Sequence, residues 1–204
     1  MQLKKEEKSL YDAILSLENR EECTALFNDL ATPAEIKSIH ERWVVACLLF
    51  STHLSYRQIH EQTGVSIATI TRVARFLQHE KYNGYKFALE RFKDTIDKGE
   101  KVDAYEAILA LQSIEECYYL FSDLCTPSEM RSMQERWLVA DLLYSTTLSY
   151  RQIHEQTGVS IATITRVARF LQHEKYNGYK LLLERTQNKA GVANVQLRKA
   201  VFGG

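Results

Sequence analysis

The sequence predicts an all-α protein made of two copies of one helical unit. Three observations carry that reading. The segment LSYRQIHEQTGVSIATITRVARFLQHEKYNGYK, Leu54–Lys86, recurs letter for letter as Leu148–Lys180, 94 residues later. Apolar residues fall three and four apart through most of both copies, which is the period of an amphipathic helix. Two prolines and eight glycines in 204 residues leave long stretches without a breaker. A repeat of this length is a domain duplication, because solenoid units run only about 20 to 50 residues.

The duplication extends upstream with less identity. Tyr11–Phe50 aligns with Tyr105–Tyr144 at the same offset. Most exchanges are mild, such as Ile36/Met130, Lys37/Arg131, Val44/Leu138 and Phe50/Tyr144. Ala31/Cys125, His40/Gln134 and Cys47/Asp141 are larger. The expected organisation is a first repeat over 1–95, a linker over 96–102, a second repeat over 103–185 and a tail over 186–204.

Within the first repeat, Leu10, Ile14 and Leu17 share one face of a helix expected over Lys4–Leu17. Cys23, Leu26, Phe27 and Leu30 mark a second, over Glu21–Leu30. Thr32-Pro33-Ala34-Glu35 is a start signal: Thr32 caps, Pro33 takes the first helical position and Glu35 closes the capping box. That helix runs to about Ser51. Its apolar residues Trp43, Ala46, Cys47, Leu49 and Phe50 predict a largely buried element. Ser55 caps a short helix over Tyr56–Gln62, Gly64 supplies the positive φ that ends it, and Ser66 caps a helix from Ile67 to about Gln78. Ile59, Val65, Ile67, Ile70 and Val73 have the spacing of two short helices crossing steeply. After Asn83-Gly84 a last helix is expected from Tyr85 to about Thr95. Ile96–Val102 then reads as a tether spanning at most about 25 Å. The tail has no clear period, although Val195, Leu197 and Val201 are compatible with a short terminal helix.

Helix–turn–helix units are therefore expected at 55–78 and 149–172. The leading end of the second helix carries small or short side chains, as a helix entering the major groove needs. Ser66, Ile67, Ala68, Thr69 and Thr71, with Arg57, His60, Arg72 and Arg75, are the candidate DNA-contacting residues. Their counterparts are Ser160, Ile161, Ala162, Thr163 and Thr165, with Arg151, His154, Arg166 and Arg169. Base contact is favoured for Ile67, Ala68 and Thr69, and phosphate contact for Arg57 and Arg75. For His60 a plain surface histidine, and for Arg72 a structural ion-pair residue, are the competing readings. Trp43 and Trp137 lie on apolar faces and read as core.

Composition excludes several classes. The formal net charge is zero, so no global field drives indiscriminate nucleic-acid binding. A local basic excess over 56–86 suits a specific site, although a charge run alone favours the plainer reading of a solvated helix face. Cys23, Cys47, Cys117 and Cys125 form no CxxC pair, and Cys47 and Cys125 have no counterpart in the other repeat. Reduced, mostly buried thiols in a cytoplasmic protein are expected. No stretch approaches a membrane span, and MQLKKEEKSL lacks the apolar core of a signal peptide. No GxSxG, HExxH, P-loop or GxGxxG occurs, so no enzyme and no metal site are expected.

Thr32-Pro33…Glu35…Arg42, followed by Tyr56-Arg57…Gly64…Ile67-Ala68-Thr69-Ile70-Thr71-Arg72, resembles the Trp repressor superfamily. AILSL…EEC upstream and ATITRV…NGYK…LER downstream resemble its YerC/YecD branch. The likeness covers about Tyr11–Arg91 and Tyr105–Arg185. It implies an intertwined all-α dimer from which the helix–turn–helix pairs project, here formed within one chain. It also implies an effector site at Thr32, Arg42 and Arg72, and at Thr126, Arg136 and Arg166. Val73 and Phe76 stand where the family has a glycine and a serine that leave room for an indole, which argues against L-tryptophan and leaves any co-repressor unknown. The expected function is a DNA-binding transcriptional regulator, in particular a repressor of a palindromic duplex site. The alternative is a protein-docking or architectural module using the same surface. The identical blocks would also suit an engineered single-chain dimer, but the diverged scaffolds argue for a natural duplication.

Overall fold

The structure is a computed structural model that describes residues 5–79, 83–173 and 176–187. The start of the first helix at Lys4 and the tail beyond 187 lie outside the described residues. Among those residues the regular structure is entirely helical. In chain order the helices are α1 Lys5–Ile14, α2 Arg20–Leu30, α3 Pro33–Ser51, α4 Tyr56–Thr63, α5 Ile67–His79, α6 Gly84–Arg91 and α7 Lys93–Asp97. The second repeat follows with α8 Ala104–Leu109, α9 Ile114–Leu124, α10 Pro127–Ser145, α11 Tyr150–Thr157, α12 Ile161–His173 and α13 over 178–187.

The fold is thus a duplicated all-α arrangement, and its elements start and stop where local chemistry directs. Thr32 accepts from Glu35 N–H at 3.2 Å while Glu35 Oε2 takes Thr32 N–H at 2.6 Å, a complete capping box. α1 is shorter than expected. Leu15 to Leu17 form a tightened turn in which Ser16 N–H and Leu17 N–H bond three residues back, and Ser16 Oγ donates to Ala13 O at 2.7 Å. The helix expected over Tyr85–Thr95 is broken at Phe92 (φ −107°, ψ 14°), giving α6 and α7. No residue type at that point signals the break. The segment read as a tether is anchored at both ends, since Ile96 and Val102 are buried.

The chain folds as two compact units, and each contains helices from both repeats. One unit comprises residues 31–133. Its core holds Trp43, Tyr85, Phe121 and Ile39, all essentially inaccessible. Trp43 Nε1 donates to Val102 O at 2.9 Å, so the polar edge of the largest core side chain is satisfied. α6 lies directly on α9. A Cβ on Gly84 would fall 2.2 Å from Tyr119 O, and only glycine permits that approach. Tyr85 N–H donates to the buried Asp123 Oδ2 at 2.9 Å, so a carboxylate from the second repeat occupies the positive end of a helix from the first. Arg91 closes the same contact, pairing with Glu116 at 3.2 Å and donating to Ala110 O.

The other unit comprises 1–30 and 134–204, and its core reproduces this scheme with the repeats exchanged. Trp137 Nε1 donates to Ser9 Oγ at 3.0 Å. A Cβ on Gly178 would fall 2.4 Å from the Ala25 carbonyl carbon. Tyr179 N–H donates to Asp29 Oδ2 at 3.0 Å. Arg185 pairs with Glu22 at 2.7 and 2.8 Å and donates to Ser16 O. This pairing holds the Glu22 carboxyl below its usual range, chiefly through the hydrogen bond from Arg185.

The glycine contacts predict a cost. Gly84→Ala and Gly178→Ala should each destabilise by about 3 kcal/mol, because backbone rather than a flexible side chain meets the new methyl. Urea denaturation monitored by tryptophan fluorescence checks this. A loss under about 0.5 kcal/mol would contradict the close approach.

Candidate nucleic-acid interface

The unit formed by α4, its turn and α5 is defined by short-range bonds. Ser55 Oγ accepts from Gln58 N–H at 3.3 Å, and Gln58 Oε1 takes Ser55 N–H at 2.9 Å. Gly64 adopts φ 72° and donates to His60 O at 2.8 Å, which ends α4. Thr63 Oγ1 donates to Ile59 O at 2.7 Å and accepts from Val65 N–H at 3.2 Å. His60 Nδ1 lies 2.8 Å from Val65 O. A carbonyl only accepts, so Nδ1 carries the proton and the ring braces the turn. Ser66 Oγ accepts from Thr69 N–H at 3.1 Å and caps α5. Ile59, Val65, Ile70 and Val73 are buried beneath this frame. α11 and α12 repeat the arrangement, with Gly158 at φ 74°, His154 Nδ1 2.8 Å from Val159 O and Ser160 Oγ accepting from Thr163 N–H at 3.1 Å.

On this frame Ser66, Ile67, Ala68, Thr71 and Arg75 are exposed, and Thr69 is half-buried. Ile67 and its counterpart Ile161 are each 44% exposed. Arg75 and Arg169 are exposed, with guanidinium carbons 5.3 and 5.2 Å from the Phe76 and Phe170 rings. Arg57 projects from α4 and meets Glu61 at 3.0 Å; Arg151 meets Glu155 at 2.9 Å. Such exposed pairs contribute little and open readily for a phosphate.

Arg72 is placed differently from its neighbours. It is half-buried and donates to Cys125 O at 2.8 Å. Arg42, buried in α3, donates to Leu124 O at 2.7 Å and to both Glu129 oxygens at 2.7 and 3.0 Å. The two arginines thereby satisfy carbonyls at the C-terminal end of α9, where a helix leaves acceptors open. Glu129 Oε2 also takes the Thr126 N–H at 2.6 Å and Oγ1–H at 2.9 Å. Burial alone would discharge Arg42, but its bonds and charge contact with Glu129 outweigh that and hold it more firmly protonated. Burial and then the charge of Arg42 lower Arg72. Glu129 is held below the usual carboxyl range, because Arg42 and Thr126 overcome its burial. In the other unit Arg136 donates to Leu30 O at 3.0 Å.

The residues present here do not fit an indole between the arginines. Val73 is 1% exposed, and the Phe76 ring already lies 5.1 Å from the Arg72 guanidinium carbon. A separate groove of about 960 Å³ runs between α3, the α4 turn and the 96–104 connection, lined by Val44, Cys47, Leu48, Val65, Ile96 and Val102. Burial pushes the Cys47 thiol up to about 12, so it is a protonated, inert wall group. The cysteines are free thiols, and Cys47 is less buried than the other three. Cys47, Leu49 and Phe50 of α3 are half-buried, less enclosed than their pattern predicts.

Sequence reasoning missed Asp29 and Asp123. Their signal was present: an acid repeated at the 94-residue offset between apolar residues, Phe27 and Leu30 in one copy and Phe121 and Leu124 in the other. It also missed Glu129 as the partner of Arg42, because the two lie 87 residues apart and nothing local to either announces the pair.

This geometry defines an all-α protein with duplicated helix–turn–helix units. Two regions, residues 5–93 and 102–187, match the family described as Trp repressor protein. The chain belongs to that family, one of DNA-binding regulators rather than enzymes. It is similar to the uncharacterized protein YerC of Bacillus subtilis (strain 168), at 43% identity over 95 residues that cover 45% of this chain and 89% of that protein. No solved structure matches the chain. Among the described residues no helix is long and apolar enough to cross a membrane, and no group of three or more His, Cys, Asp or Glu residues is arranged to hold a metal ion.

The Arg42–Glu129 pair sets a testable stability. Glu129→Ala leaves a buried guanidinium uncompensated and should cost about 3 kcal/mol, read by urea denaturation at neutral pH. Since Glu129 titrates lower folded than unfolded, its contribution is fully present above the ordinary value of 4.5 and is lost as pH falls below that, through the lower folded value. Glu129→Gln should therefore flatten the fall of stability on acidification. An unchanged acid limb would contradict the pairing.

Proposed function

We propose that the chain is a sequence-specific, DNA-binding transcriptional regulator, acting as a repressor at a palindromic duplex site. The observation that carries this is the identity of the two exposed surfaces, residue for residue, on scaffolds that have otherwise diverged. Each repeat supplies one reader, and the two act as the pair that a homodimeric repressor assembles from separate chains. Covalent linkage keeps the second reader at high effective concentration. A protein working on chromosomal DNA in this way acts in the cytoplasm of a bacterial cell.

In this reading the leading turns of α5 and α12 enter adjacent major grooves. Ser66, Ile67, Ala68, Thr69 and Thr71, with Ser160, Ile161, Ala162, Thr163 and Thr165, face base edges. Arg57, Arg75, Arg151 and Arg169 hold phosphates. His60 and His154 stiffen the turns, and Arg72 positions its reader through Cys125 O. Thr32, Arg42, Thr126 and Arg136 act as scaffold rather than as effector ligands, and addition of L-tryptophan leaves affinity unchanged.

Binding to a randomised duplex pool tests the reading. Enriched sites should contain two identical inverted half-sites about one helical turn, or roughly 34 Å, apart. Affinity should fall steeply with salt, and Arg75→Ala with Arg169→Ala should reduce the log–log salt slope by about 2. Absence of enrichment, or a salt-independent interaction, would favour use of the same surface to dock another protein.

A further inference from the structure

Ser66, Thr69 and Thr71 supply the leading end of α5 with hydroxyls as its only hydrogen-bonding side-chain groups. Ile67 occupies the first helical position and is 44% exposed, with exposed Ala68 and Thr71 nearby. The hydroxyls there are engaged within the helix. Ser66 Oγ lies 2.9 Å from Thr69 Oγ1 and accepts from Thr69 N–H at 3.1 Å, and Thr71 Oγ1 donates to Ile67 O at 2.8 Å. The second copy shows the same bonds, at 2.9, 3.1 and 2.8 Å. Between Ile67 and Leu77 there is no Asn, Gln, Asp or Glu. The guanidinium of Arg72 is directed to Cys125 O.

The side chains that read adenine and cytosine by paired hydrogen bonds, Asn or Gln and Glu or Asp, are therefore missing from these turns, and the arginine nearest the leading end, Arg72, is engaged with Cys125 O. What the surface offers instead is methyl groups. The major groove has one apolar counterpart, the C5-methyl of thymine. We infer that the readers select their half-sites chiefly by packing Ile67, Ala68 and Thr71, with Ile161, Ala162 and Thr165, against thymine methyls, so that the preferred half-site is thymine-rich. This deepens the proposed function and rests on α5 and α12 being duplex readers.

The test takes the full chain and the duplex enriched from a random pool, and replaces thymine by deoxyuridine one position at a time. Deoxyuridine keeps every hydrogen-bonding group and removes only the methyl. At least one thymine in each half-site should lose about fourfold in affinity, the effect of one buried methyl. Replacing the equivalent thymine in both half-sites should lose about fifteenfold. Ile67→Ala with Ile161→Ala, checked to be folded by circular dichroism, should lose the thymine preference at one position of each half-site. Binding of every deoxyuridine duplex within twofold of the parent would overturn the inference while leaving DNA reading intact. So would full thymine preference in the double variant. Failure to enrich any duplex would overturn it together with the proposed function.

Discussion

The structure depends on a helix end from one repeat resting on a buried carboxylate from the other. Asp123 receives the Tyr85 N–H, and Asp29 receives the Tyr179 N–H. Each bond sits where a glycine lets the two backbones touch. Neither repeat holds both halves of such a contact within its own unit. The first two helices of one repeat lie with the later helices of the other, so each unit is completed by exchange. A buried carboxylate is costly unless it is bonded. That penalty makes the exchanged pairing specific, because a mismatched packing would leave the aspartate unsatisfied.

Stiffness then passes outward to the exposed surface. Each helix–turn–helix is capped at its starts, closed by a left-handed glycine and braced by a histidine on its own turn. In the 31–133 unit, Arg72 ties α5 to the end of α9, and Arg42 ties α3 to the same end and to Glu129. The arginine pair that the family resemblance assigns to an effector is here occupied by backbone carbonyls and a carboxylate. The reader is held by the protein itself.

Much of this was legible in the sequence, for local reasons. The caps at Thr32, Ser55 and Ser66 and the turn at Gly64 depend only on neighbouring residues, and all form as expected. The burial of Trp43 and Trp137 followed from their apolar faces. Long-range features were not legible. Nothing near Arg72 announces Cys125 O as its partner, 53 residues away. The break at Phe92 has no glycine or proline to mark it, and the anchoring of Ile96 and Val102 depends on α3 and its neighbours. The role of Asp29 and Asp123 needed the exchanged helices in place before a buried acid made sense.

The exchange is tested most directly by cutting the chain between its repeats. A site-specific protease sequence inserted at the exposed Gly99 allows cleavage under native conditions, followed by size-exclusion chromatography with light scattering. If each unit needs helices from both repeats, the two fragments will co-elute at the mass of the uncut protein and separate only in denaturant. Elution as two independent folded fragments would contradict the account.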